Sequence, residues 1–376
     1  MEANEVENYR YLNVLYNDIL VGKLAKTNDN LIAFEYDDNW LNNGFSISPY
    51  SLPLVKKVFM PKQEPFGGLF GVFNDSLPDG WGRLLVDRLF LSHKINPLEI
   101  DNLNRLAVVQ ESGMGALTYK PEHRFEIVGQ NLDLDSLAKE CSKILETNNS
   151  NELDELFMLG GSSGGARPKI LTQINGEDWI IKFPSSQDPK NIGEQEYQYS
   201  LCAKKCGINM AETKLFPSNI YSGYFGIKRF DRNNNRKVHM VSVSGLLEIS
   251  HRLPNLDYNI LMKLTLELTK NYQDIEQLYR LMCFNVFAHN RDDHSKNFSY
   301  IYNEAKKEWH LSPAYDLTYS SSFNGEHATT IDGEGKNPNL DNILLVAKNI
   351  GLKEKLAKDI ASEIKNKCTS LPKYKK

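Results

Sequence analysis

The chain has 376 residues, more than one hydrophobic core usually organises, so two or three subdomains are expected. Its formal net charge is −4 with the basic residues scattered, which argues against direct, nonspecific nucleic-acid binding and leaves any DNA role to a partner. The acidic start, Met1-Glu-Ala-Asn-Glu-Val-Glu, has no apolar stretch behind it, and no apolar run approaches the roughly 18 residues of a membrane span, so a soluble, cytoplasmic protein is expected.

Residues Tyr11 to Tyr36 alternate apolar and polar, with Asn17-Asp18 as a turn, and predict a small antiparallel sheet. After Ser76-Leu-Pro-Asp-Gly-Trp-Gly82 the run Leu84 to Phe90 predicts a helix, and Asn148-Asn-Ser-Asn151 a linker. Four glycines in Leu159-Gly-Gly-Ser-Ser-Gly-Gly-Ala-Arg-Pro-Lys169 allow close backbone approach to phosphates. The segment is neither a Walker A loop nor G-x-G-x-x-G, and a flexible turn fits its composition as well as a phosphate cradle does.

Lys182 closes a strand-like run, Trp179-Ile-Ile-Lys182, and Glu196 lies in a helical segment from Glu194 to Lys205. Protein kinases pair a strand lysine on the nucleotide phosphates with a helix glutamate, although a surface lysine beside an unrelated glutamate gives the same pattern. Phe225-Gly-Ile-Lys-Arg-Phe-Asp231-Arg fits either an interlobe hinge, with Asp231 near a ribose, or a strand end.

The pattern richest in chemistry comes later. The helical positions Ile275, Leu278, Tyr279, Met282 and Val286 lead into His289-Asn-Arg-Asp-Asp-His-Ser-Lys-Asn297, followed by a short strand from Phe298 to Tyr302 and by Leu311-Ser-Pro-Ala-Tyr-Asp316. Phosphoryl transfer needs a carboxylate to orient the attacking hydroxyl and oxygen ligands to hold magnesium, and Asp292, Asn297 and Asp316 supply that set. His294 and Lys296 lie in the same loop; a zinc site made of His289 and His294 is a poorer reading. The five cysteines, Cys141, Cys202, Cys206, Cys283 and Cys368, are dispersed and read as reduced thiols. Cys202 and Cys206 stand four apart on a helix, which permits a shared metal, but no neighbouring His or Cys pair completes a site, and a half-buried helix face is the simpler expectation.

Taken in order, Ser76-Leu-Pro-Asp-Gly-Trp-Gly-Arg83, Gly113-Met-Gly-Ala116, Gly161-Ser-Ser-Gly-Gly-Ala-Arg-Pro-Lys169, Ile181-Lys182, Glu196-Tyr197, Arg229-Phe-Asp-Arg232, Asp292-Asp-His-Ser-Lys-Asn-Phe298 and Pro313-Ala-Tyr-Asp316 resemble the HipA-family toxin kinases of bacterial HipBA toxin–antitoxin modules. The resemblance implies an α+β, two-lobed protein-kinase-like fold with an extra N-terminal small β-sheet subdomain and a mainly helical C-terminal lobe. The expected division is an accessory subdomain at 1–120, a kinase N-lobe at 121–245 and a helical C-lobe at 246–376. Asp292 is then the catalytic carboxylate, with His294 and Lys296 beside it, and Asn297 and Asp316 hold Mg²⁺. Lys182, Glu196, Arg229, Phe230, Asp231 and the loop residues Ser162, Ser163, Gly164 and Gly165 form the ATP site.

Ser162 matches a serine whose autophosphorylation switches such toxins off, and the adjacent Ser163 leaves the acceptor open. The implied partners are a HipB-like DNA-binding antitoxin, with DNA reached only through it, and an aminoacyl-tRNA synthetase as protein substrate. Two departures stand out: Lys228 occupies a hinge position where a family member can have Glu, and the helical tail ends soon after Leu356, Ile360 and Ile364. A small-molecule kinase, a nucleotidyl transferase or a catalytically vestigial corepressor are the competing expectations.

Overall fold

The computed structural model describes residues 9–109, 113–123, 133–147, 153–161, 164–233, 236–322 and 324–372. The chain divides into two compact units, one made of Met1–Gly193, Lys214–Val241 and Gly245–Glu248, the other of Glu194–Thr213, Ser242–Ser244 and Ile249–Lys376.

In the first unit, β1 (Tyr11–Tyr16) and β2 (Ile19–Lys26) form a hairpin whose two turn residues, Asn17 and Asp18, have φ of 44° and 67°. Left-handed backbone at both central positions matches the strand twist, and Asn and Asp tolerate it. The Asn17 side chain also pairs with the backbone of Lys237, donating to its carbonyl and accepting from its N–H, both at 3.0 Å. With β3 (Ile32–Tyr36), β4 (Val58–Phe59) and β5 (Leu117–Lys120) the hairpin completes an antiparallel sheet in the order β4-β3-β2-β1-β5. Helices α1 (Asp38–Asn43), α2 (Gly71–Asn74), α3 (Gly80–Ser92) and α4 (Asn102–Val109) belong to the same stretch.

The next helices are α5 (Leu134–Thr147) and α6 (Leu153–Gly160). They precede a four-stranded sheet in the order β6-β7-β9-β8, from β6 (Lys169–Ile174), β7 (Glu177–Lys182), β8 (Thr213–Phe216) and β9 (Tyr224–Lys228). Helix α3 has apolar residues on two faces. Trp81 and Leu85 pack with Leu156, Ile170, Trp179 and Ile181 under this sheet, while Val86, Leu89 and Phe90 pack with Val108 of α4 and Phe157 of α6. Burial of each such side chain is worth about 1.5–3 kcal/mol, so α3 takes part in two clusters, one under the second sheet and one with α4 and α6. A short hairpin, β10 (Arg232–Asn233) with β11 (Arg236–Lys237), follows β9.

The second unit contains α7 (Ile192–Lys205) apart from its first two residues. β12 (Met240–Ser242) and α8 (Val243–Leu247) cross between units. Then follow β13 (Leu256–Asp257), α9 (Tyr258–Thr269), α10 (Tyr272–Phe287), β14 (Ser299–Asn303), β15 (Glu308–Leu311), β16 (Thr329–Thr330), α11 (Leu340–Asn349) and α12 (Glu354–Cys368). Asp257, Asn271 and Asn339 cap α9, α10 and α11 by accepting N–H groups of their first turns. All five periodic positions expected from the sequence, Ile275, Leu278, Tyr279, Met282 and Val286, are buried on α10. So are Leu281, Cys283 and Phe284, which marks α10 as the core helix of the unit. Among the described residues no helix is long and apolar enough to cross a membrane.

Candidate active site

In the first unit the Gly-rich segment runs from the end of α6 to the start of β6, so it does not open a helix. The Asp79 carboxylate, at the N-cap of α3, accepts no N–H of its own helix and instead accepts that of Gly165. Trp81 donates its backbone N–H to the Gly165 carbonyl at 2.9 Å and its indole N–H to the Lys169 carbonyl at 3.2 Å. Gly80 and Gly165 have φ of 46° and 84°, and a Cβ on Gly80 would stand 2.4 Å from the Gly165 oxygen, so both positions require glycine. The Lys169 ammonium is bonded to the Gly164 carbonyl, and Arg167 grips Asp188 with two hydrogen bonds of 3.1 Å. The described part of the turn, Gly164 to Lys169, is therefore held by charged side chains. Ser162 and Ser163 lie outside the described residues.

Lys182 ends β7. The strand register sets it opposite Lys169 on β6 and Phe225 on β9, on one face of the sheet, with its Nζ 5.5 Å from the centre of the Phe225 ring. Trp179 and Ile181 are buried, whereas Lys182, on the other face of β7, is partly exposed.

The segment Arg229 to Arg232 behaves as a clasp. Asp231 is 1 % exposed, and its carboxylate accepts from Arg229 at 2.7 and 2.9 Å, from Arg232 at 2.9 Å and from the Gly115 N–H at 2.7 Å. Both arginines also donate to the Gly113 carbonyl, at 2.8 and 2.7 Å. Burial pushes the Asp231 carboxyl up, but the two guanidinium groups and the Gly115 N–H outweigh it and hold it at about 2. This carboxylate is occupied by protein donors, so the strand-end reading describes Asp231 better than a ribose contact does. Arg229 is buried in the same clasp, whereas Phe230 beside it is partly exposed. Lys228 is ion-paired with Glu177.

In the second unit Glu196 is buried on α7. Helix α10 stops at Ala288, whose N–H closes on Phe284, and His289 turns away with φ of 55°. The two adjacent aspartates that follow have opposite surroundings. The Asp292 side chain is 63 % exposed, 3.9 Å from His294 Nε2. Asp293 is buried: its carboxylate accepts from the Tyr258 hydroxyl at 3.0 Å, His327 Nδ1 at 3.0 Å and the Thr329 N–H at 3.2 Å. Tyr258 in turn accepts from Asn285, which also binds the Asn290 amide, both at 2.9 Å. Asp293 thus anchors the loop and leaves Asp292 presented to solvent.

His294 caps the turn 295–297 by accepting the Lys296 N–H at 3.2 Å, and its ring stands against His251. It shapes the turn that carries Asn297. Asn297 donates its amide to the Asp292 carbonyl at 2.6 Å, which leaves its side-chain oxygen as an acceptor. Tyr315 donates to the Lys296 carbonyl at 2.7 Å and so fastens the segment ending in Asp316, where φ is 54°. The two expected ligands, Asn297 and Asp316, offer an amide oxygen and a carboxylate, hard oxygen donors of the kind Mg²⁺ takes. Three buried polar atoms of the same loop, Asn290 Oδ1, Arg291 Nε and Ser295 Oγ, have no hydrogen-bond partner among the described residues, the environment in which water or a bound ligand completes the hydrogen bonding.

Sequence reasoning did not single out Asp293, Tyr258, His327 or Thr329. The spacing did point to Asp292 over its neighbour, since only Asp292 has an Asn five residues on.

The α+β elements, with an N-terminal five-stranded sheet, have the fold of a HipA chain. The HipA N-terminal domain matches residues 12–120 and the HipA-like C-terminal domain residues 161–371, and the chain belongs to the HipA family. A HipA chain from the Shewanella oneidensis HipA, HipB and operator DNA complex superposes with a TM-score of 0.72 at 18 % identity, covering 95 % of this chain and 88 % of that one. Two Sinorhizobium fredii proteins are similar. "Putative kinase Y4dM" is 27 % identical over 212 residues, 52 % of this chain and 51 % of that protein. "Putative kinase Y4mE" is 24 % identical over 350 residues, 84 % of this chain and 78 % of that protein. A Haemophilus influenzae protein named "Putative kinase" is 26 % identical over 189 residues, 44 % of this chain and 54 % of that protein. The chain thus spans about half the length of two of these curated relatives.

Proposed function

We propose that this protein is an ATP- and Mg²⁺-dependent serine/threonine protein kinase that serves as the toxin of a HipBA-type module. The observation that carries the reading is the split pair, an exposed Asp292 with Asn297 bonded to its backbone and a buried Asp293 fixing the loop. Asp292 orients the acceptor hydroxyl and takes its proton, Asn297 and Asp316 provide oxygen ligands for the cation, and Lys182 binds the nucleotide phosphates. Mg²⁺ held there supplies positive charge against the phosphoryl oxygens.

The substrate is a cellular protein, an aminoacyl-tRNA synthetase in the first instance, whose phosphorylation in the cytoplasm stops translation and growth. The partner is a HipB-like antitoxin, through which DNA is reached; the assembly of the Shewanella neighbour with HipB and operator DNA supports this. Autophosphorylation at Ser162 or Ser163 switches the kinase off, because a phosphoserine adds about −1.5 to −2 charge beside the nucleotide phosphates.

Incubation of purified protein with labelled ATP, Mg²⁺ and a cell lysate tests the reading. Phosphoproteomics is expected to show one dominant protein target, absent with Asp292→Asn, and slow modification of Ser162 or Ser163 that weakens ATP binding. Label transferred only to small molecules sinks the protein-kinase assignment.

A further inference from the structure

Cys202, on α7, and Cys206, four residues on and one past the end of that helix, are joined in the second unit by Cys368, the last residue of α12, and their three Sγ atoms lie within 4.8 Å of one another. Nothing near the pair in the sequence supplies a completing ligand, because Cys368 is distant in the chain. We propose that Cys202, Cys206 and Cys368 form a three-thiolate site for a thiophilic divalent cation of the Zn²⁺ class, which staples the end of α12 to the end of α7.

Four features support the site. Zn–S bonds of about 2.3 Å in a tetrahedron put sulfurs about 3.8 Å apart, so small rotamer shifts from the observed spacing close the site. All three sulfurs are buried, with residue exposures of 5 %, 0 % and 7 %, and converge from two helices already docked there: the Cys202 thiol faces the Lys367 carbonyl at 3.7 Å, and the Lys367 ammonium donates to the Lys205 carbonyl. Charge is also accommodated. Three thiolates and a divalent cation carry a net −1, and the Lys205 and Lys367 cations stand close enough to act on these sulfurs. Lastly, the donor set is all sulfur, which selects soft cations over Mg²⁺ or Ca²⁺. The three bonds that form replace thiol protons released to solvent, and the fourth coordination position is left to water.

The site uses none of the residues assigned to phosphoryl transfer, so its test reads metal, not activity. Reduced, full-length protein is stripped with chelator and titrated with Zn²⁺ against a fluorescent chelator, and separately with Cd²⁺ while the ultraviolet thiolate-to-cadmium band is followed. The expected result is about one equivalent of either metal and a band that saturates there. Cys202→Ser, Cys206→Ser and Cys368→Ser are each expected to bind at least about a hundredfold more weakly, whereas Cys141→Ser, in the first unit, binds as wild type. Cys368 ends a helix, so Cys368→Ser is the variant that serves if the fully buried Cys206 proves necessary for folding. Absence of stoichiometric binding by the wild-type chain, or equal binding by Cys368→Ser, overturns the proposal.

Discussion

The Asp79 carboxylate accepts the backbone N–H of Gly165 across 86 residues of sequence. Asp79 lies within the HipA N-terminal domain match and Gly165 within the C-terminal one, yet both belong to one compact unit. A charge-assisted hydrogen bond of this kind is worth about 1.5–3 kcal/mol, and here it fixes the Gly-rich turn.

Asp79→Ala is therefore expected to weaken ATP binding about tenfold while the protein stays folded, and Asp79→Asn, which keeps a neutral acceptor, to weaken it less. Isothermal calorimetry with ATP and Mg²⁺ measures both. Equal affinity in wild type and Asp79→Ala would mean that the turn held by Asp79 is not a nucleotide contact.

Asp292→Asn is expected to lower phosphoryl transfer by about 10²- to 10⁴-fold, and Asp316→Asn by at least about a hundredfold. The thermal midpoint of Asp292→Asn should match wild type, since its side chain is 63 % exposed and the substitution keeps its shape. Single-turnover assays with purified variants give the rates, and undiminished transfer by either variant removes that residue from the chemistry.

Asp293→Ala should do the reverse. It strips the acceptor from Tyr258, His327 and the Thr329 N–H in a buried site, at a cost of about 2–4 kcal/mol, and Asp293→Asn should fall between it and wild type. Urea unfolding reads this directly; an Asp293→Ala midpoint equal to wild type would deny the anchoring role.

The parts of this architecture legible in sequence are those with a local period or spacing. Alternation gave the hairpin at Asn17-Asp18, the 3.6-residue period placed Ile275 to Val286 on one buried helix, and the five-residue interval paired Asp292 with Asn297. Contacts made between distant backbone and side-chain groups leave no such trace. Nothing periodic connects Asp231 to Gly115, Asp79 to Gly165, or Cys368 to Cys202, because each pairing depends on how separate segments fold back into one unit. Asp231 shows the effect most plainly. Its sequence context allows a ligand contact, and only the three-dimensional arrangement reveals two arginines and a backbone N–H already filling its acceptor sites.

His239 is buried against Tyr16 and Phe45, with Nε2 bonded to the Ile47 carbonyl at 2.8 Å, and burial lowers it from 6.5 to about 4. The unfolded chain then binds a proton between pH 6.5 and 4 that the folded chain refuses, so His239 makes stability rise with pH through that window, by about 3 kcal/mol in all. Glu248 acts in the opposite sense. Burial raises its carboxyl from 4.5 to about 7, although the Gly71 N–H bonds to it, so the folded chain holds a proton that the unfolded chain has lost, and stability falls as pH rises from 4.5 to 7. The two contributions offset each other in the wild type. His239→Gln keeps a donor for Ile47 without titrating, and its stability is expected to decline from pH 4.5 to 7. Glu248→Gln should instead gain stability over the same range. Urea unfolding at half-unit pH steps measures the slopes, and a His239→Gln profile parallel to wild type would show that this imidazole does not control stability there.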